Sequence, residues 1–123
     1  MRLTRERLDL GREGETLALE RLQSLGYRCI ARNYRCALGE VDLIAEDGET
    51  LVFVEIKTRG RSLEYAKSAV TERKKRQLSK VALAYMKANN CCNVKSRFDV
   101  VAVRVKGGAK EIEVVKNAFD LAY

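Results

Sequence analysis

The stretch Gly39-Glu40-Val41-Asp42-Leu43-Ile44-Ala45-Glu46-Asp47-Gly48-Glu49-Thr50-Leu51-Val52-Phe53-Val54-Glu55-Ile56-Lys57-Thr58-Arg59 reads as two apolar strands joined at Asp47-Gly48. A two-residue turn that matches the twist of its strands needs positive-φ residues, which Asp and Gly tolerate. Placing Asp47-Gly48 in the turn pairs Glu46 with Glu49, Ile44 with Leu51, Asp42 with Phe53 and Glu40 with Glu55. Residues that face each other share a side of the sheet, so Asp42, Glu55 and Lys57 point the same way. Asp42 and Glu55 are then diagonal neighbours, roughly 7–8 Å apart between α-carbons, and both carboxylates reach one shared ion. Lys57 follows about 6.6 Å along the strand from Glu55.

Val41, Leu43, Val52, Val54 and Ile56 fill the other face, and Ile44, Leu51 and Phe53 accompany the charges, so both sides are expected to be partly covered. Carboxylates in such a place need a counterion, a metal or a rim position. Two readings stay open on these residues alone: an ordinary ion-pair cluster at a sheet edge, or a functional site.

The chain of 123 residues fits one domain spanning residues 1–123, with enough length for a hydrophobic core. It shows neither a signal-peptide-like apolar run nor about 18 consecutive apolar residues, so the expected protein is cytoplasmic and makes no membrane contact. Cys29, Cys36, Cys91 and Cys92 lack Cys-x-x-Cys spacing and are expected as free thiols. The chain has no histidine, which excludes Ser-His-Asp and Cys-His nucleophile systems and histidine-based zinc fingers. Catalysis must therefore rest on carboxylates, lysine, tyrosine or thiol.

Thr4 to Gly26 reads as a helix with Gly26 at its C-terminal cap. Glu15, Ala18, Leu19 and Leu22 form its core-facing stripe, so Glu15 either sits at the stripe's margin or supplies a third carboxylate to the sheet. Tyr27 to Tyr34 is an expected first strand, and Thr58 to Ser68 an expected mobile loop. A second helix is expected from Val70 or Thr71 to Asn89, with Thr71 as N-cap and Leu78, Val81, Ala82 and Tyr85 inward. Arg97–Val105 and Glu111–Val115 complete the set as strands joined at Gly107-Gly108. The order α-β-β-β-α-β-β predicts an α/β fold: a meander of three strands, then a helical crossover to a parallel strand, in a mixed central sheet flanked by helices.

Charge is unevenly spread. Residues 57–80 hold nine basic residues (Lys57, Arg59, Arg61, Lys67, Arg73, Lys74, Lys75, Arg76, Lys80) against Glu64 and Glu72, which accounts for the whole net charge of +7. Such clustering suits an anionic backbone led across carboxylates, and Arg73, Arg76 and Lys80 align at i, i+3, i+7 on the second helix, with Gln77 between its basic and apolar faces. Phosphate contacts of this kind position a nucleic acid without reading its bases. Asp42 and Glu55 are hard oxygen donors suited to Mg²⁺ or Mn²⁺, and Lys57 can orient a water or donate to a phosphoryl oxygen. The expected reaction is phosphodiester hydrolysis.

Asp42, then Glu55-Ile56-Lys57 thirteen residues on, resembles the P-D-(D/E)-x-K nuclease superfamily, with Val41 where that motif writes proline. More narrowly, Gly11-Arg12-Glu13-Gly14-Glu15 with Ala18, Gly39-Glu40-Val41-Asp42-Leu43-Ile44, Phe53-Val54-Glu55-Ile56-Lys57-Thr58-Arg59 and Phe98-Asp99-Val100-Val101 resemble the bacterial YraN-like family across nearly the whole chain. That family is grouped by similarity with Holliday-junction resolvases. The resemblance implies a restriction-endonuclease-like core and activity on branched DNA. It further implies Asp42 and Glu55 as metal ligands with Glu15 as the first-helix acid, Lys57 as catalytic lysine, Gln77 as a polar second-helix residue, and a homodimer. The basic residues Arg59, Arg61, Lys67, Arg73, Lys74, Arg76 and Lys80, with Gln77, are the expected nucleic-acid contacts. The other readings are a non-catalytic nucleic-acid-binding or scaffolding module using residues 57–80, and a basic segment that docks an acidic protein.

Overall fold

The structure, a computed structural model, describes residues 5–59 and 70–121, with side chains described for residues 12–58, 70–105 and 107–121. The loop expected over Thr58 to Ser68 therefore lies mostly outside the described residues, as do Arg61 and Lys67; Arg59 is described as strand backbone only.

The first helix, α1 (Arg5–Ser24), ends where Gly26 adopts φ +94°, a left-handed value that glycine takes without a Cβ penalty. Three strands follow: β1 (Arg28–Cys36), β2 (Gly39–Asp47) and β3 (Thr50–Arg59). A second helix, α2 (Glu72–Ala88), starts at Thr71, whose hydroxyl accepts from the Lys74 N–H at 3.2 Å. It stops at Asn89-Asn90, with Asn90 at φ +54°. The chain closes with β4 (Ser96–Lys106) and β5 (Ala109–Phe119). The strands lie in sequence order in one five-stranded sheet, antiparallel throughout except for the parallel β3–β4 pair that α2 bridges. The expected α/β architecture, meander and crossover are all present.

Each helix covers one face. Ala18 and Leu22 of α1 pack with Leu43, Ala45, Val52, Val54, Val101 and Val103, while Leu78, Val81, Ala82 and Met86 of α2 pack with Ile44, Leu51, Phe53 and Phe98. The central strand β3 is covered on both sides, which is why Leu51–Val54 is an unbroken apolar run instead of an alternating one. Helix α1 comes close to β3 at Gly14, where a Cβ would overlap the Thr58 side chain.

The hairpin register differs from the one read off the sequence. Asp47 pairs with Thr50, Ile44 with Phe53 and Leu43 with Val54, so the two turn residues are Gly48-Glu49 instead of Asp47-Gly48. Gly48 has φ +62° and Glu49 is not among the positive-φ residues, which excludes a type I′ turn and fits type II′ with glycine first. Asp47 is drawn out of the turn because its carboxylate accepts from Arg97 at 2.7 Å. The slip moves every pair by two residues, so the faces are preserved, and continuing the register brings Asp42 opposite Glu55 instead of diagonal to it.

Strand β5 runs past its expected end at Val115. Asn117, at φ +52°, donates its backbone N–H to the Asp99 carboxylate at 2.9 Å, and Phe119 stacks on Phe98 with centroids 4.7 Å apart. Asp99 is fully buried and also accepts from the Tyr27 hydroxyl at 2.7 Å and from Arg97 at 3.0 Å. These bonds tie the start of β1 to β4 and β5 at the sheet end where the β2–β3 turn lies. Burial, then the hydrogen bond to Asp99, push the Tyr27 phenol far above its ordinary range.

Candidate active site

Backbone pairing between β2 and β3 stops at Leu43–Val54, although β2 stays paired with β1 through Gly39 and β3 with β4 through Arg59. The hairpin therefore opens at the end away from its turn. Val41 marks the opening: strict alternation would put it with Leu43, but it packs in the α2-side cluster with Ile44. The Ile56 N–H, one residue past Glu55, donates to Asp42 Oδ2 at 2.7 Å. A side chain thus fills the place of the next β2 carbonyl and fixes Asp42 against β3.

Glu55 projects to the α2 side and is only 4% exposed. Its Oε2 has no hydrogen-bond partner among the described residues, yet two ammonium groups stand near it, Lys74 Nζ at 3.5 Å and Lys57 Nζ at 3.6 Å. Lys74 Nζ also donates to Gln77 Oε1 at 3.2 Å. Gln77 lies over Gly39 so closely that a Cβ there would come within 2.8 Å of its Cδ, and Gly39 holds φ +141°. Small size and a left-handed backbone are both needed at this position.

Burial, the hydrogen bond shared with Glu55 and the charge of Glu55, in that order, raise the Asp42 pKa from 3.8 to about 7. The Ile56 amide and Lys74 hold it from rising further. Two carboxylates so close that one favours the protonated form create a local demand for positive charge, which the two lysines meet in part.

Of the expected site residues, the structure brings together Asp42, Glu55 and Lys57 and adds Lys74 and Gln77. Lys74 was expected as a phosphate contact; instead it turns inward to Glu55, and only Arg73, Arg76 and Lys80 remain exposed on that helix among the expected contacts. Glu15 is not in the cluster: its carboxylate faces Arg32 of β1 at 3.8 Å. Among the described residues no three His, Cys, Asp or Glu side chains gather as a metal cage. Two open cavities flank the cluster, one of about 460 Å³ lined by Arg35, Gly39, Glu40, Lys74 and Gln77 and one of about 290 Å³ lined by Thr71, Arg73, Lys74 and Gln77. The inward turn of Lys74 had no local signal, since Glu55 is nineteen residues away in sequence. The four cysteines are free thiols, and no helix among the described residues is long and apolar enough to cross a membrane.

The model of the uncharacterised protein family UPF0102 matches residues 14–103, from the Gly14 contact into β4. The chain belongs to this family. A UPF0102 protein of Geobacter sulfurreducens is 50% identical over 117 residues, spanning 93% of this chain and 91% of the relative. Another from Syntrophus aciditrophicus is 44% identical over 120 residues, spanning 96% and 94%. A third from Caldicellulosiruptor saccharolyticus is 47% identical over 115 residues, spanning 90% and 97%. The YraN-like resemblance read from the motifs therefore holds at the level of the family. Among solved structures, SfsA of Pyrococcus furiosus in complex with Ca²⁺ is similar over 90% of this chain, with 16% sequence identity and a TM-score of 0.41; this chain spans 63% of that one.

Proposed function

We propose that the protein is a metal-dependent phosphodiester hydrolase acting on nucleic acid, with branched DNA as the resolvase-like substrate. The observation that carries this reading is Glu55: a buried carboxylate whose Oε2 makes no hydrogen bond among the described residues and has only two ammonium groups at 3.5 and 3.6 Å, set beside an Asp42 whose proton affinity is raised, at the mouth of an opened hairpin. Hard, crowded oxygen donors of this kind fit Mg²⁺ or Mn²⁺, which retain waters and need few protein ligands. A bound ion would lower the pKa of a water and neutralise charge developing on the phosphate.

In this reading Asp42 and Glu55 hold the ion, and the Ile56 amide keeps Asp42 aimed at it. Lys57, beside Glu55, orients the attacking water or donates to the phosphoryl oxygen. Glu15, the third acid that the family resemblance implies, stands on the α1 side of the sheet facing Arg32 and would have to leave that pair and reach round the open end of the hairpin to join them. The exposed Arg73, Arg76 and Lys80 on α2 hold the phosphate backbone, with Arg59, Arg61 and Lys67 expected to extend the same surface. A four-way junction would call for two such sites, as a twofold dimer provides.

The test is a cleavage screen over linear, flapped and four-way DNA with Mg²⁺ or Mn²⁺, run with Glu55→Gln and Lys57→Ala. The expected result is cleavage by wild type alone, with nucleic-acid binding kept in both variants. Binding without cleavage by wild type under every condition would move the protein to the second reading, a non-catalytic nucleic-acid module. The exposed row on α2 favours that reading independently of the carboxylates.

A further inference from the structure

Two carboxylates, Asp42 and Glu55, share the site with two ammonium groups, Lys57 and Lys74, which stand 3.6 and 3.5 Å from Glu55 Oε2. Adding a divalent cation leaves positive charge in excess, and like charges within a few ångströms in a partly buried site repel strongly. Moving one ammonium away relieves that excess, and the two are not equally free to move. Lys57 shares a strand and a face with Glu55. Lys74 sits in the first turn of α2, at the positive end of the helix dipole where a cation is disfavoured, and it borders both open cavities. Gln77, pressed against Gly39, is the side chain that holds Lys74 inward.

We infer that Lys74 is the resident cation of the metal-free site and that it withdraws from Glu55 when a divalent cation binds, joining Arg73, Arg76 and Lys80 on the outer row. Lys74 thereby works as a placeholder: it neutralises Glu55 in the empty site and releases it to the metal. Apparent metal affinity is lowered by the fraction of molecules in which Lys74 occupies the site. This inference rests on the metal-site reading above, and its test is arranged to separate the two.

Mn²⁺ binding would be measured by calorimetry on wild type, Lys74→Met, Gln77→Ala and Glu55→Gln, without nucleic acid. Lys74→Met should bind on the order of tenfold more tightly than wild type. Gln77→Ala, which frees Lys74 from its anchor and retains its charge, should bind more tightly by a smaller factor. A lysine that only supports local structure gives the opposite sign, because its loss would loosen the ligands. Unchanged or weaker binding in Lys74→Met overturns the inference, while wild-type binding abolished in Glu55→Gln leaves the metal site standing. No Mn²⁺ binding in wild type or Lys74→Met overturns both.

Discussion

Replacing Asp42 with Asn in the metal-free protein should stabilise the fold at alkaline pH and change little at acid pH. In the folded chain the Asp42 pKa is raised from 3.8 to about 7, first by burial and then by Glu55. A carboxyl with a raised folded pKa favours folding while protonated; that advantage is complete below the unfolded value and disappears as pH rises through about 7. The interval between 3.8 and about 7 corresponds to at most roughly 4 kcal/mol, and about 2 kcal/mol is the working expectation for a carboxyl that is only partly buried and shares its titration with Glu55. Asparagine keeps the oxygen that accepts from the Ile56 amide and carries no charge to desolvate. Urea denaturation in EDTA between pH 5 and pH 8 provides the measurement. Wild type should lose stability across that interval while Asp42→Asn does not, so that the variant is the more stable protein at pH 8. Parallel profiles for the two proteins would refute the reasoning, since ionising a crowded carboxylate would then cost nothing.

Three further outcomes follow from features elsewhere. Gly14→Ala should destabilise by about 1–3 kcal/mol despite alanine's higher helix propensity, because the added methyl meets Thr58; thermal melting checks it, and an unchanged melting temperature would contradict the close approach of α1 to β3. Asp99→Ala should cost about 3–5 kcal/mol by leaving Tyr27, Arg97 and the Asn117 amide without their shared acceptor, as read in a denaturant titration. Neutralising Arg73, Arg76 and Lys80 together should weaken DNA binding and flatten its salt dependence by roughly one log–log slope unit per residue, measurable by fluorescence anisotropy across a salt series.

The order of elements was legible because each carries its own period or cap: the stripe on α1, Thr71 before α2, and the β-branched runs of β3 and β4. The slip in the turn was an even number of residues, so the paired residues of β2 and β3 from Leu43 to Asp47 and Thr50 to Val54 kept their expected faces, while Asp42 lies just beyond them where the pairing ends. The turn itself was misplaced because Asp47 is held by Arg97, fifty residues away, and a local rule for Asp-Gly cannot contain that bond. Lys74 was read by its neighbours in sequence as one more phosphate contact, whereas its direction is set by Glu55 and Gln77. Asp99 stood inside a motif without a role, for its meaning depends on Tyr27 and Asn117 arriving from either end of the chain.

One amide of the central strand has been handed from the sheet to a side chain. Because the Ile56 N–H is held by Asp42 and not by a β2 carbonyl, its bond strength follows whatever proton or ion Asp42 holds. The backbone of β3 therefore carries a built-in gauge of the site. An isotope-labelled Ile56 amide, observed by magnetic resonance, would report occupancy of the carboxylates without substrate, turnover or a chemical change to the site.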